Sequence, residues 1–102
     1  MSNKNQNDKK YDLEERTTVF SENIIEFCKS IESNLITKPL VSQLIRSATS
    51  VGANYCEADC AGTKKDFIHK LYLCKKESKE TKYWLRLIGK TLPEVKNEAR
   101  KL

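Results

Sequence analysis

Apolar side chains recur at helical spacing along most of this chain, and that pattern predicts its elements. Leu13, Thr17, Phe20, Ile24, Phe27 and Ile31 alternate four- and three-residue steps, a single seam of coiled-coil type on a first helix. Asp12, Glu14 and Glu15 suit the start of that helix, and Glu15, Glu22, Glu26 and Lys29 mark a solvated opposite face. A second set, Leu40, Leu44, Ala48, Val51, Tyr55 and Ala58, is widened by Val41, Ile45 and Cys56, so most of that helix needs cover. A third seam runs Phe67, Leu71, Cys74, Ser78, Thr81, Leu85 and Ile88, with Tyr83, Trp84 and Leu87 adding apolar bulk beside it. Pro93 suits the first turn of a fourth helix, but the residues from Leu92 to Leu102 reach at most about 16 Å. The expected helices therefore cover about 12–33, 39–60, 64–90 and 93–102, inside one domain over 11–102, after a disordered polar tail at 1–10.

The central stretch Gln43–Ala58, QLIRSATSVGANYCEA, is unlike a surface helix. It holds one Arg and one Glu, is dense in small residues, and carries Gly52 in its middle. Thr49, Ser50, Val51, Gly52, Asn54 and Tyr55 together cost roughly 3–4 kcal/mol of helix propensity relative to Ala, so tertiary packing has to support it. A helix-turn-helix broken near Gly52 is the competing reading. It would make Ala53–Ala61 the recognition helix, and that segment has Glu57 and Asp59 but no Lys or Arg. The apolar phase holds on both sides of Gly52, which favours one continuous helix. Thr37 is placed to cap its start, Pro39 fits its first turn, and Gly62 marks its end. Thr63 and Asp66 then form a capping-box-like pair for the third helix. Short links force antiparallel neighbours, so the fold class is all-α: an antiparallel up-down-up-down helical bundle with three long helices and a short or truncated fourth.

Composition agrees with this. The 102 residues include three Gly and two Pro, and no alternating strand-like run stands out. No stretch nears 18 apolar residues, so no membrane span is expected. The opening MSNKNQNDKK has no apolar segment and does not read as a secretory signal. Cys28, Cys56, Cys60 and Cys74 are then expected as reduced, buried or half-buried thiols in a cytoplasmic protein. Two disulfides, or a metal held by Cys56, Cys60 and His69, are the alternatives, and the paired spacing of a structural zinc site is missing. No nucleophile has an obvious base, so no enzyme, catalytic residue, metal or cofactor is expected.

Charge adds the first chemical hint. Residues 11–33 carry two positive and six negative charges, and residues 63–90 carry nine positive and three negative. Lys75, Lys79, Lys82, Arg86 and Lys90 make a one-sided basic stripe on the third helix, suited to a phosphate backbone or simply to solvent. Antiparallel contact of helices 2 and 3 places Arg46 beside Glu77 and Glu80, and Asn54 beside Lys70: a polar network that sets register. If it is buried, removing one partner costs about 3–5 kcal/mol. Tyr83 and Trp84 could stack on bases, but aromatics next to a bundle seam more often serve core or interface.

QLIRSATSVGANYCEA followed by KDFIHKLYLCKKESKETKYWLRLI resembles the bacterial four-helix-bundle family named for proteins encoded by intervening sequences within 23S rRNA genes. The resemblance covers roughly Leu13 to Pro93, and the family is similar to the accessory protein of diversity-generating retroelements. It implies an up-down-up-down bundle, ring-like homopentamers and a bacterial cytoplasmic location. For the retroelement relatives it implies binding to RNA or DNA and to a reverse transcriptase. The family has a full fourth helix; this chain has a stub. That departure predicts an uncovered apolar patch, each 400 Å² or so of which forgoes roughly 10 kcal/mol of burial. Either further copies of the chain cover it, at an interface including Tyr55, Tyr83, Trp84 and Leu87, or residues beyond Leu102 normally do. A protein–protein scaffold with no nucleic-acid role is the alternative function.

Overall fold

The computed structural model describes the backbone of residues 2–102 and the side chains of residues 13–102, and the stretch expected as a tail at 1–10 falls, from Ser2 on, within the first helix, which begins earlier than the expected start near residue 12. Three long helices, α1 (Ser2–Lys29), α2 (Thr37–Asp59) and α3 (Lys64–Thr91), are followed by a 3-10 turn, Pro93–Val95, and a short α4, Lys96–Arg100. The described residues contain no strand. This is an all-α bundle with a short fourth helix. α2 is its centre, packed against both α1 and α3, and α4 folds back chiefly on α3.

α2 runs unbroken through Gly52, and no described residue has a positive φ. Gly52 faces α1, where an added β-carbon would lie 3.7 Å from Thr17. On the other side, Ser47 and Thr81 are buried, with their hydroxyl oxygens 3.0 Å apart across the α2–α3 contact. The core gathers at one end of the bundle, where Ile24, Phe27 and Cys28 of α1 meet Leu44 and Ala48 of α2, Leu85 and Ile88 of α3, and Ala99 of α4.

Several boundaries differ from the periodicity. α1 ends at Lys29 because Ser30 turns back: its hydroxyl donates to the Phe27 carbonyl at 2.6 Å, competing with the helical bond. Thr37 does not cap α2. It is buried, donating to the Glu32 carbonyl at 2.6 Å, and Asn34 does the capping, its Oδ1 accepting from the Ile36 and Thr37 amides at 2.9 Å each. Gly62 lies in the connection after Cys60 without a left-handed cap. Thr63 does cap α3, accepting from the Asp66 amide at 3.1 Å.

The largest departure is in the seams. Phe67 and Leu71, expected inside, are 42% and 37% exposed, and Leu13 at the start of the α1 seam is 48% exposed. α4 reaches the C-terminal part of α3, where Lys96 sits on Gly89, and among the described residues the face of the first half of α3 that carries Phe67 and Leu71 is left largely open. Cys56 and Cys60 are exposed as well, rather than buried, while Cys28 is buried and Cys74 half-buried.

Candidate nucleic-acid interface

A long amphipathic helix that buries one flank must present the other, and α3 presents cations. Lys75, Lys79, Lys82, Arg86 and Lys90 are all exposed. At 100° per residue they fall within an arc of about 80°. Among the described residues, none of the five forms an ion pair.

The chain's return after α3 adds to this face. The Leu92 amide closes α3 on the Ile88 carbonyl at 2.8 Å, Pro93 begins the 3-10 turn, and Val95 bonds back to Leu92 at 3.0 Å. Leu92, Val95 and Leu102 pack on the core and Ala99 is buried in it, which holds α4 against α3. The approach is close: a β-carbon on Gly89 would meet the Lys96 Cα at 3.5 Å, ordinary contact with no room to spare. Lys96, Arg100 and Lys101 therefore face Lys82, Arg86 and Lys90 across a groove of about 860 Å³. These three residues were missed by the periodicity, which treats the stub only as cover. Pro93 was the available signal, since a turn there sends the following cations back along α3.

A second groove, of about 310 Å³, runs between α1 and α3 over Val51 and is lined by Leu13, Thr17, Phe20 and Leu85. It meets the basic groove at Lys82, Leu85 and Leu102. This is where a longer fourth helix of a bundle would lie.

The polar network sits beyond the other flank of α3. Arg46 donates from Nη1 to Glu77 Oε2 at 3.0 Å, from Nη2 to Glu80 Oε2, and from Nε to Gln43 Oε1 at 3.0 Å. Glu80 also accepts from Trp84 Nε1 at 3.0 Å. The Arg46 side chain is 47% exposed and Glu77 13%, so the network rims the α2–α3 contact rather than lying inside it. Asn54 is not part of it. Its amide donates to the Ser50 carbonyl at 2.9 Å within α2, and Lys70 instead pairs with Glu57 at 2.8 Å, where a full negative charge is on offer one turn away.

Of the residues expected at a subunit contact, Tyr83, Trp84 and Leu87 share α3 and Tyr55 lies on α2. Trp84 packs on the core and Tyr83 meets it edge-on, ring centroids 5.0 Å apart; Tyr83 is 54% exposed, and Tyr55 and Leu87 are half-buried. His69 is exposed on α3. Burial pushes the Cys28 thiol up to about 11. Cys74 is also raised, by burial first and then by Cys56 nearby, against the lowering effect of a backbone hydrogen bond; its Sγ donates to the Val51 carbonyl at 3.4 Å.

Fold and surface together define a small helical-bundle protein with one cationic face. The family of 23S rRNA-intervening sequence proteins matches residues 9–100, and the chain belongs to it. A crystal structure of a protein of unknown function, from the S23 ribosomal protein family of Bacteroides thetaiotaomicron VPI-5482, is 30% identical in sequence. It superposes with a TM-score of 0.78, covering 91% of this chain and 83% of that one. Comparison with curated proteins gives no match.

Proposed function

We propose that this chain is a non-enzymatic nucleic-acid-binding protein that grips phosphate backbone along α3 and α4. One observation carries this reading. Lys75 and Lys79 continue into a groove walled by Lys82, Arg86, Lys90, Lys96, Arg100 and Lys101, and none of these has a carboxylate partner among the described residues. Cations held apart from acids are poised to release counterions to a polyanion, which makes binding strongly salt-dependent and largely independent of sequence. Charge reversal at Lys79 and Lys82 is expected to weaken RNA and DNA binding for all sequences and to lower the salt slope by about two. Unchanged binding by that variant would overturn the assignment of the face.

Self-association is the second part of the proposal, and the exposed apolar start of α3 favours it. Phe67, Ile68 and Leu71 are 42%, 55% and 37% exposed and adjoin one another on the first turns of α3. Further copies of the chain would cover it, in the ring that the family resemblance implies, and a reverse transcriptase partner would compete for the same apolar surface.

A further inference from the structure

The basic face of α3 also carries two exposed tyrosines. Tyr72 is 62% exposed and Tyr83 54%. At 100° per residue both fall among the cations: Lys82, Lys75, Arg86, Lys79, Tyr72, Lys90 and Tyr83 occupy one arc of about 100°. The two rings are eleven residues apart in a continuous helix, so about 16 Å along its axis. The periodicity of the α3 seam does not include either residue.

Tyr83 is also braced. Its ring meets the edge of Trp84 at an interplanar angle of 69°, Trp84 is held by Glu80, and Glu80 by Arg46. The network at the α2–α3 rim thus limits the motion of a ring that faces solvent. A stacking platform benefits from this, because less side-chain freedom is lost when a base lands on it.

We infer that the ligand of this face is single-stranded nucleic acid, with bases stacking on Tyr72 and Tyr83 and phosphates running along Lys75, Lys79, Lys82, Arg86 and Lys90. This rests on the proposed nucleic-acid function and goes beyond it by naming the strand state. In a duplex the base faces are already stacked on each other and offer the tyrosines nothing, whereas every unpaired base has a free π-face. At about 3.4 Å per stacked nucleotide, the span is about five steps, so both rings are engaged by a stacked strand of about six nucleotides or more.

The experiment compares a fluorescent twelve-nucleotide oligouridylate with a duplex of equal length at low salt, using Tyr72→Ala, Tyr83→Ala, the matching Phe variants and the Lys79→Glu/Lys82→Glu double variant of the whole chain. Each Ala variant is expected to weaken single-strand binding by roughly fivefold to a hundredfold, leave duplex binding unchanged, and be rescued by Phe. The double charge reversal weakens both ligands. If charge reversal weakens binding and the Ala variants do not, the stacking inference is overturned while the phosphate-binding reading stands. Equal loss on single strand and duplex also overturns it. So does a change in oligomeric state on Tyr83→Ala, which would make that ring part of a subunit contact. No binding of either ligand by the unaltered chain removes both readings.

Discussion

Gly52 shows how a residue that looks like a break can be filled space. The helix passes through it with helical dihedrals, and Thr17 stands 3.7 Å from where a β-carbon would be, a distance of ordinary contact. Gly52→Ala therefore fits, and it removes the entropy penalty of a mid-helix glycine. The expected gain is about 0.5–1 kcal/mol in urea unfolding; a loss would show that α1 and α2 need the closer approach. Arg46 is a second case where exposure decides the size of the effect. Had its pair with Glu77 and Glu80 been buried, truncation would cost several kcal/mol. With half the guanidinium in solvent, Arg46→Ala is expected to cost about 1 kcal/mol. The same variant should loosen Trp84, read as a change in its fluorescence. Cys28 gives a pH signature. Its thiol stays protonated in the folded chain up to about 11, whereas the unfolded thiol ionises from 9.0. The unfolded state thus binds fewer protons in that window, and stability falls as pH rises through it. Cys28→Ala should flatten that part of the stability–pH curve. The pairing of Arg46 was readable from antiparallel register because charges of opposite sign seek each other along facing helices. The burial of that pair was not, because how far a rim is open depends on what covers it.

At the scale of elements, periodicity identified all the long helices, since each carries a seam long enough to repeat several times. It failed where local hydrogen bonds compete with the helix. Ser30 takes the Phe27 carbonyl and shortens α1, and Asn34 displaces Thr37 as the cap of α2, two short-range contests that an apolar pattern does not register. It also assigned Phe67 and Leu71 to the core. A seam says which face of a helix is apolar, and the partner that would cover it has to come from elsewhere. The basic stripe was legible because charge, like hydrophobicity, has a helical period. Its extension to Lys96, Arg100 and Lys101 was not, because those residues join it only through the turn at Pro93 and the packing of Ala99. Removing α4's contribution tests whether it matters to binding. Lys96→Ala/Arg100→Ala/Lys101→Ala is expected to reduce the salt slope by about two with little change in thermal stability, because all three side chains are exposed. A retained slope would confine the interface to α3.

The whole molecule is a bundle closed at one end and open at the other. Where α1, α2, α3 and α4 meet, the core is complete; toward the start of α3 it is not, and Phe67, Ile68 and Leu71 face outward. No helix among the described residues is long and apolar enough to cross a membrane. Self-association is proposed to cover this open end, and light scattering at tens of micromolar is expected to find assemblies larger than one chain. Phe67→Glu/Leu71→Glu should dissociate them without unfolding the closed end. A soluble monomer of the unaltered chain would remove the self-association proposal.

In the proposed function the cations of α3, extended by those of α4, form a track for phosphates. The most direct test is the affinity for a single-stranded oligonucleotide measured across a range of salt concentrations. Phosphate contacts from the five cations of α3 and the three of α4 predict that log affinity falls with log salt at a slope of about −5.6, and that Lys79→Glu/Lys82→Glu makes the slope shallower. A wild-type chain that binds no oligonucleotide at low salt, or binds it with no dependence on salt, would contradict the claim.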